Sequence, residues 1–354
     1  MGLHWGAPVL RSLIPDESWS RIQSIQADPH VPTKDEDTFS FIQGETGETM
    51  AAFTFGPFYR LRRSKLRDLL SQGIDIRYNQ RLSDVTYAQD GRSVAAHLTD
   101  GTSVHGRMLV GADGARSTIR QCLLGPERAA INRIPYAATF VQAKFSREQA
   151  LFLRKFHPLF LGSAHPENRF AFFGMQDATD TDPSNWTFVF YISWQSSLEE
   201  QDATADWTSA RRLAQQKEFA KSFCDPWKSA YEWTPDDASV WYLGLTDWDP
   251  GRQGHRWDNH GGLITMVGDA AHPMTYQRGQ GLNHSITDAG KLRDALVKIE
   301  KGADQRDSIT AFEDEMIIRG GGEVRDGTAN TMLLHDWGKV QQSPLFTKGM
   351  DKRE

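Results

Sequence analysis

Cysteine is nearly absent: Cys122 and Cys224 are the only two in 354 residues, with no Cys-x-x-Cys and no Cys/His cluster. No disulfide framework and no metal site is therefore expected, and two free thiols fit a reducing, cytoplasmic setting. Positive charge is not in excess either. Lys and Arg number 40 against 46 Asp and Glu, a net charge of −6, so no basic field draws nucleic acid or anionic lipid. Long apolar runs are lacking. The stretch 151–161 is broken by Arg154, Lys155 and His157, far short of the roughly 20 residues of a membrane helix. The opening Met1-Gly-Leu-His-Trp lacks the basic and apolar regions of a signal peptide. A soluble chain with no integral membrane segment and no nucleic-acid partner is the expectation.

What is present is an ordinary globular composition, 39% hydrophobic and 24% charged, with enough length for one or two cores. Residues 1–60 read as irregular, with turn signals at Ile14-Pro15-Asp16 and Asp28-Pro29. Leu66, Leu69 and Leu70 recur at helical spacing, which predicts a helix over 61–70 ended by Gly73. Ile74-Asp-Ile-Arg-Tyr78 reads as a short strand, and residues 85–88 and 93–98 as a hairpin around Asp90-Gly91. A strand over 108–112 runs into Asp113-Gly114, with a helix from about Ser117.

The middle is different. Residues 131–146 and 169–194 are β-branched and aromatic, with Phe188, Phe190, Ile192 and Trp194 on one strand face and Tyr191 on the other. Segments 147–156 and 205–223 read as helices. After the turn Asp249-Pro250-Gly251, the buried-type strand 263–267 ends at Gly268-Asp269; a helix follows from about Leu282, and two more run to about 336. An α/β domain formed by residues 1–124 and 251–354, interrupted by a β-rich α+β domain at 125–250, accounts for this order.

Three segments carry chemistry. In Gly268-Asp-Ala-Ala-His-Pro-Met-Thr-Tyr-Gln-Arg-Gly-Gln-Gly-Leu-Asn283, a strand delivers Asp269 to its carboxyl end, where α/β sheets bind ligands. A carboxylate there can accept two hydrogen bonds from a sugar-like diol, and the turn Gly279-Gln-Gly281 opens a helix whose amide groups suit an anion. In Leu109-Val-Gly-Ala-Asp113-Gly114-Ala-Arg116-Ser117-Thr-Ile-Arg120, a second strand presents an aspartate, and Ser117 can cap the next helix. In Arg63-Ser-Lys-Leu-Arg67, cations in a helix's first turn oppose its dipole and ask for an anionic partner.

In this order the three segments closely resemble the group A flavin-dependent monooxygenases, the aromatic-hydroxylase family, over nearly the whole chain. The Gly-Asp string looks most like that of fungal members acting on secondary metabolites. The resemblance implies a p-hydroxybenzoate hydroxylase-like fold: a Rossmann-like FAD-binding domain with an inserted substrate domain. It implies FAD as cofactor and NAD(P)H as electron donor. Arg63 and Asp269 would contact the FAD ribityl and diphosphate, Gly281 and Leu282 would offer backbone groups near the flavin ring, and Asp113 would link the flavin and pyridine-nucleotide regions. The implied reaction is hydroxylation of an aromatic or polyketide-type intermediate by O2 through a flavin C4a-hydroperoxide. Tyr191 is the candidate to hydrogen-bond a substrate phenolate.

Two departures from that family stand out. The chain contains no strand–Gly-x-Gly-x-x-Gly–helix unit, so a βαβ of about 30 residues or more is expected to be missing, as in a truncated gene model or a degenerate copy. A non-catalytic remnant that holds no FAD and a non-hydroxylating flavin enzyme are the alternatives. Four residues after His272, where many members place a proline beside the flavin, stands Tyr276.

Overall fold

The structure is a computed structural model that describes residues 1–349. Its first strand and helix are β1 (Gly2–Leu3) and α1 (Ala7–Leu13), followed by β2 (Asp37–Gln43), β3 (Thr49–Phe55), β4 (Tyr59–Arg60) and α2 (Arg63–Leu70). Then come β5 (Leu82–Tyr87), β6 (Val94–Leu98), β7 (Ser103–Gly106), β8 (Leu109–Gly111) and α3 (Thr118–Ala129). The middle supplies β9 (Asn132–Ala143), β10 (Phe160–His165), β11 (Arg169–Asp177), β12 (Thr187–Gln195) and β13 (Val240–Asp247). The chain closes with β14 (Ile264–Met266), α4 (Gly281–Glu300) and α5 (Gln305–Leu334).

Seven strands form one mixed sheet in the order β13-β9-β12-β11-β10-β2-β3. All its pairs are antiparallel except β10 with β2. The period of two sorts its side chains onto opposite faces. Phe173, Phe188, Phe190 and Ile192 enter a core covered by the helices Arg147–Arg154, Ser209–Ala220 and Trp227–Trp233. Phe170, Tyr191 and Phe41 enter a second core on the other face. The sheet reaches beyond 125–250, because β2 and β3 are drawn from the segment read as irregular.

Elsewhere β8 and β14 pair in parallel, Leu109 opposite Ile264 and Gly111 opposite Met266. They are packed by α3, α4 and α5 through Ile119, Leu292, Phe312 and Met316. The buried Glu313 carboxylate on α5 accepts from Thr265 at 2.8 Å and from Trp257 and Asn259 at 2.9 Å, tying β14 to the loop before it.

Two further expectations fail. Residues 74–78 form no strand: Ile74, Ile76 and Tyr78 are exposed and the segment is turn and coil, since no neighbouring strand accepts its ladder. The two helices expected up to 336 are one, α5. Its Gly320-Gly321 pair lets that long helix approach closely. A β-carbon on Gly320 would lie 2.7 Å from the His272 ring, and one on Gly321 2.6 Å from Asp249. Among the described residues no helix is long and apolar enough to cross a membrane, and no group of His, Cys, Asp and Glu is placed to hold a metal ion.

Candidate active site

Parallel pairing brings Asp113 and Asp269 to one edge. The ladder ends where the Val267 amide donates to the Gly111 carbonyl at 2.9 Å, and both strands turn sharply just beyond it. Gly268 needs its φ of +58°, a left-handed value that a β-branched residue resists. Asp269 follows on a single 3-10 turn and is exposed. Asp113 Oδ2 accepts the Thr118 amide at 2.6 Å and that of Ile119 at 3.2 Å, while Ser117 Oγ accepts that of Arg120 at 2.9 Å. Two side chains thus satisfy the amides at the start of α3.

Arg120 locks these turns together. Its Nε donates to the Ala129 carbonyl at 3.0 Å, Nη1 to that of Ala270 at 2.9 Å and Nη2 to that of Ala115. The guanidinium lies 4.9 Å from the Trp248 ring. Burial lowers its pKa to about 10, with Asp113 opposing the shift, so it stays charged near neutrality.

The helix α4 starts against Asp269. No side chain caps it, so its first amides, those of Gly281 and Leu282 among them, have no intrahelical partner. A β-carbon on Gly281 would lie 4.0 Å from Asp269 Oδ1. Asn283 is fully buried, and its Oδ1 accepts the amides of His4 at 3.0 Å and Gly6 at 3.1 Å. Leu282 packs against the apolar cluster that also holds Leu66 and Leu69 of α2, the helix that begins with Arg63. Arg63 is exposed and makes no hydrogen bond or ion pair with any described residue.

The Gly-Asp string also reaches the second face of the large sheet. Tyr276 meets Tyr191 edge-on, centroids 5.3 Å apart at 88°, and Phe140 at 5.3 Å. Tyr191 also packs on Phe140 at 4.5 Å and lies nearly parallel to Phe172 at 5.5 Å. Burial pushes the Tyr191 phenol well above its ordinary pKa, Tyr276 adds to this and Arg60 opposes it. Burial raises the Tyr276 phenol likewise, so both phenols keep their protons at neutral pH.

Asp113, Asp269, Gly281 and Leu282 thus gather around two adjoining turns, and Tyr191 meets the same Gly-Asp string at Tyr276. Sequence reasoning assigned no role to Arg120, Asn283 or Asp288. Arg120 had a signal, a cation three residues after a capping Ser; Asn283 and Asp288 had none apart from the Gly-Asp string that contains or precedes them.

A family model described as FAD binding domain matches residues 59–320. The FAD-dependent monooxygenase cctM of Talaromyces islandicus is 33% identical over 99% of this chain and 86% of its own length. The FAD-dependent monooxygenase phnB of Penicillium herquei is 35% identical over 99% and 84%. The chain belongs to the FAD-dependent monooxygenases. Its fold is that of solved flavin hydroxylases: Klebsiella pneumoniae HpxO, complexed with FAD and uric acid, superposes with a TM-score of 0.72 at 16% identity over 99% of this chain and 84% of its own. For 2,6-dihydroxypyridine-3-hydroxylase from Arthrobacter nicotinovorans the values are 0.67, 16%, 91% and 81%.

The donors in this monooxygenase suit its cofactor. An unpaired exposed carboxylate, the uncapped amides of a 20-residue helix and an unpaired arginine offer acceptors for hydroxyls and donors for anionic oxygens. FAD is the cofactor and NAD(P)H the electron donor typical of the family.

Proposed function

We propose that the protein hydroxylates an electron-rich aromatic or polyketide-type secondary-metabolite intermediate, using NAD(P)H and O2. One observation carries this reading: the cofactor string and the aromatic sheet face meet at Tyr276 and Tyr191, 5.3 Å apart. Bound FAD supplies electron transfer from NAD(P)H to O2 and delivery of one oxygen atom. The protein's part is to hold, orient and exclude water. In this reading Asp269 accepts ribityl hydroxyls, Arg63 faces the diphosphate and the Gly281 and Leu282 amides face the flavin ring. Asp113 lies where the flavin and pyridine-nucleotide regions join. Residues 1–124 and 251–354, apart from β2 and β3, form the FAD-holding part; residues 125–250, joined by those two strands, form the substrate part.

The rings of Phe140, Phe172, Tyr191 and Tyr276 fit a flat ring by stacking and edge contacts. Tyr191, protonated at neutral pH, donates an Oη–H hydrogen bond to a substrate phenolate oxygen and keeps its proton, which steadies the electron-rich form of the ring. Cys122 and Cys224 are free, in keeping with a cytoplasmic enzyme. The test is purified protein with added FAD, NADPH or NADH, a panel of phenols and isotopically heavy O2. Consumption of reduced nicotinamide with one heavy oxygen atom in a hydroxylated product is the expected result. Consumption without labelled product would overturn the reading in favour of a dehydrogenase or oxidase.

A further inference from the structure

Arg60 is a buried cation without an anion. It ends β4 with 8% of its surface exposed, and its Nε donates to the Met175 carbonyl at 3.0 Å. In other deeply buried arginines both terminal nitrogens have partners. Arg278 pairs with Glu323, and Arg319 with Asp288 and Glu315. Arg120 directs three nitrogens at carbonyls, and both terminal nitrogens of Arg212 reach Thr204. The Arg60 Nη1 and Nη2 make no hydrogen bond with any described residue, and neither is sealed from solvent.

What surrounds the guanidinium is aromatic. Its carbon lies 5.2 Å from the Phe172 ring and 5.5 Å from that of Phe160. Gly174 makes the space: a β-carbon there would come within 2.9 Å of Nη2. Phe172 in turn lies nearly parallel to Tyr191, so one row runs from the Arg60 cation through Phe172 and Tyr191 to Tyr276. Two cation–π contacts recover less than burying an ion costs. The contacts present do not offset that cost; an oxyanion on the two free nitrogens would. Burial lowers the Arg60 pKa only to about 10, Tyr191 opposing, so the cation persists at neutral pH.

We propose that Arg60 binds an anionic oxygen, carboxylate or phenolate, of the aromatic substrate that lies along Phe172 and Tyr191. This rests on the aromatic-substrate reading above and narrows it to acidic substrates. It is tested without turnover, by calorimetric titration of the protein at low salt. One arm compares 2-naphthoate with its neutral isostere 2-naphthamide; the other compares 4-nitrophenolate, at a pH where it is ionised, with 4-nitroanisole. The anion is expected to bind about tenfold or more tightly than its neutral partner in at least one arm, and the arm identifies the oxyanion. Arg60→Gln should abolish the preference and Arg60→Lys retain most of it. Equal binding of anion and neutral partner in both arms, including no binding of either, would overturn the proposal. So would an unchanged preference in a folded Arg60→Gln protein. If Arg60→Gln does not fold, the wild-type and Arg60→Lys titrations decide. Because neither NAD(P)H nor O2 takes part, absence of hydroxylation would count against the proposed reaction and leave this result standing.

Discussion

The buried Asp288 carboxylate faces His272 Nε2 at 2.6 Å and, through the same oxygen, accepts the Gly268 amide at 2.7 Å. Its other oxygen accepts from Arg319 Nη2 at 2.7 Å. Burial pushes its pKa up, but His272 and Arg319 outweigh this and hold it below the ordinary carboxylate value. One side chain of α4 thereby fixes both ends of the turn that presents Asp269.

Asp288→Ala should therefore cost about 3 kcal/mol, the low end for breaking a buried ion pair, because Arg319 keeps Glu315. Urea unfolding at neutral pH measures it. The sign with pH follows from the depressed pKa. The contribution is present above the unfolded value of about 3.9 and is lost as pH falls through the lower folded value. The gap between wild type and variant should accordingly narrow in strong acid. A gap that stays constant or widens there would show that Asp288 is not ionised in the folded protein.

Asp269→Ala should leave stability within about 0.5 kcal/mol of wild type, since the side chain is exposed and makes no hydrogen bond with the described residues. FAD affinity should fall about 10- to 150-fold, the equivalent of roughly 1.5–3 kcal/mol for charge-assisted hydrogen bonds. Flavin fluorescence titration separates the two effects. Unchanged affinity would remove Asp269 from the cofactor site.

Arg120→Ala should do the reverse, losing stability first. Three backbone carbonyls lose a charged donor and Trp248 loses a cation–π partner, together about 3 kcal/mol or more. Arg120→Lys should recover only part, because an ammonium cannot reproduce the fork that reaches three divergent oxygens. Full recovery by Lys would mean that charge alone, and not the bridge between the two turns, is what matters.

Much of this was legible in the sequence where a motif and a period coincided. The Gly-Asp string runs from just past β14 into the start of α4, Asp113-Gly114 follows β8, and Tyr191 lies on the face opposite Phe188, Phe190 and Ile192. Other parts were not. Strands β2 and β3 escaped because turn signals precede them and the hairpin they form joins its sheet only through β2, whose other partner, β10, lies far along the chain. The strand expected at 74–78 had the right alternation but no neighbour. Asp288 and Arg60 were illegible for one reason: an isolated acid on a helix and an isolated base on a two-residue strand acquire meaning only from what packs around them.

His335 offers the last test. It is buried between α5 and the large sheet, with Nδ1 2.7 Å from the Thr331 carbonyl and Nε2 2.8 Å from the Ser193 hydroxyl. A carbonyl can only accept, so Nδ1 carries the proton and Nε2 accepts from Ser193. A second proton would place a charge where water cannot reach it, and burial lowers the pKa from 6.5 to about 4, with the hydrogen bonds opposing. Between those values the unfolded chain binds a proton that the folded one refuses. Stability should fall as pH drops below about 6.5, by up to about 1.4 kcal/mol per pH unit. From pH 7 to pH 5 this one residue should account for about 2 kcal/mol. His4, held near 4 by burial, His284 and Arg278, adds a parallel loss. His157 and His284, also lowered by burial, do the same, so His335→Gln, which removes only the His335 share, should lose about 2 kcal/mol less than wild type from pH 7 to 5. Urea midpoints across that range measure both slopes. Identical slopes would mean that His335 is already protonated in the fold, or that another group sets the acid limit.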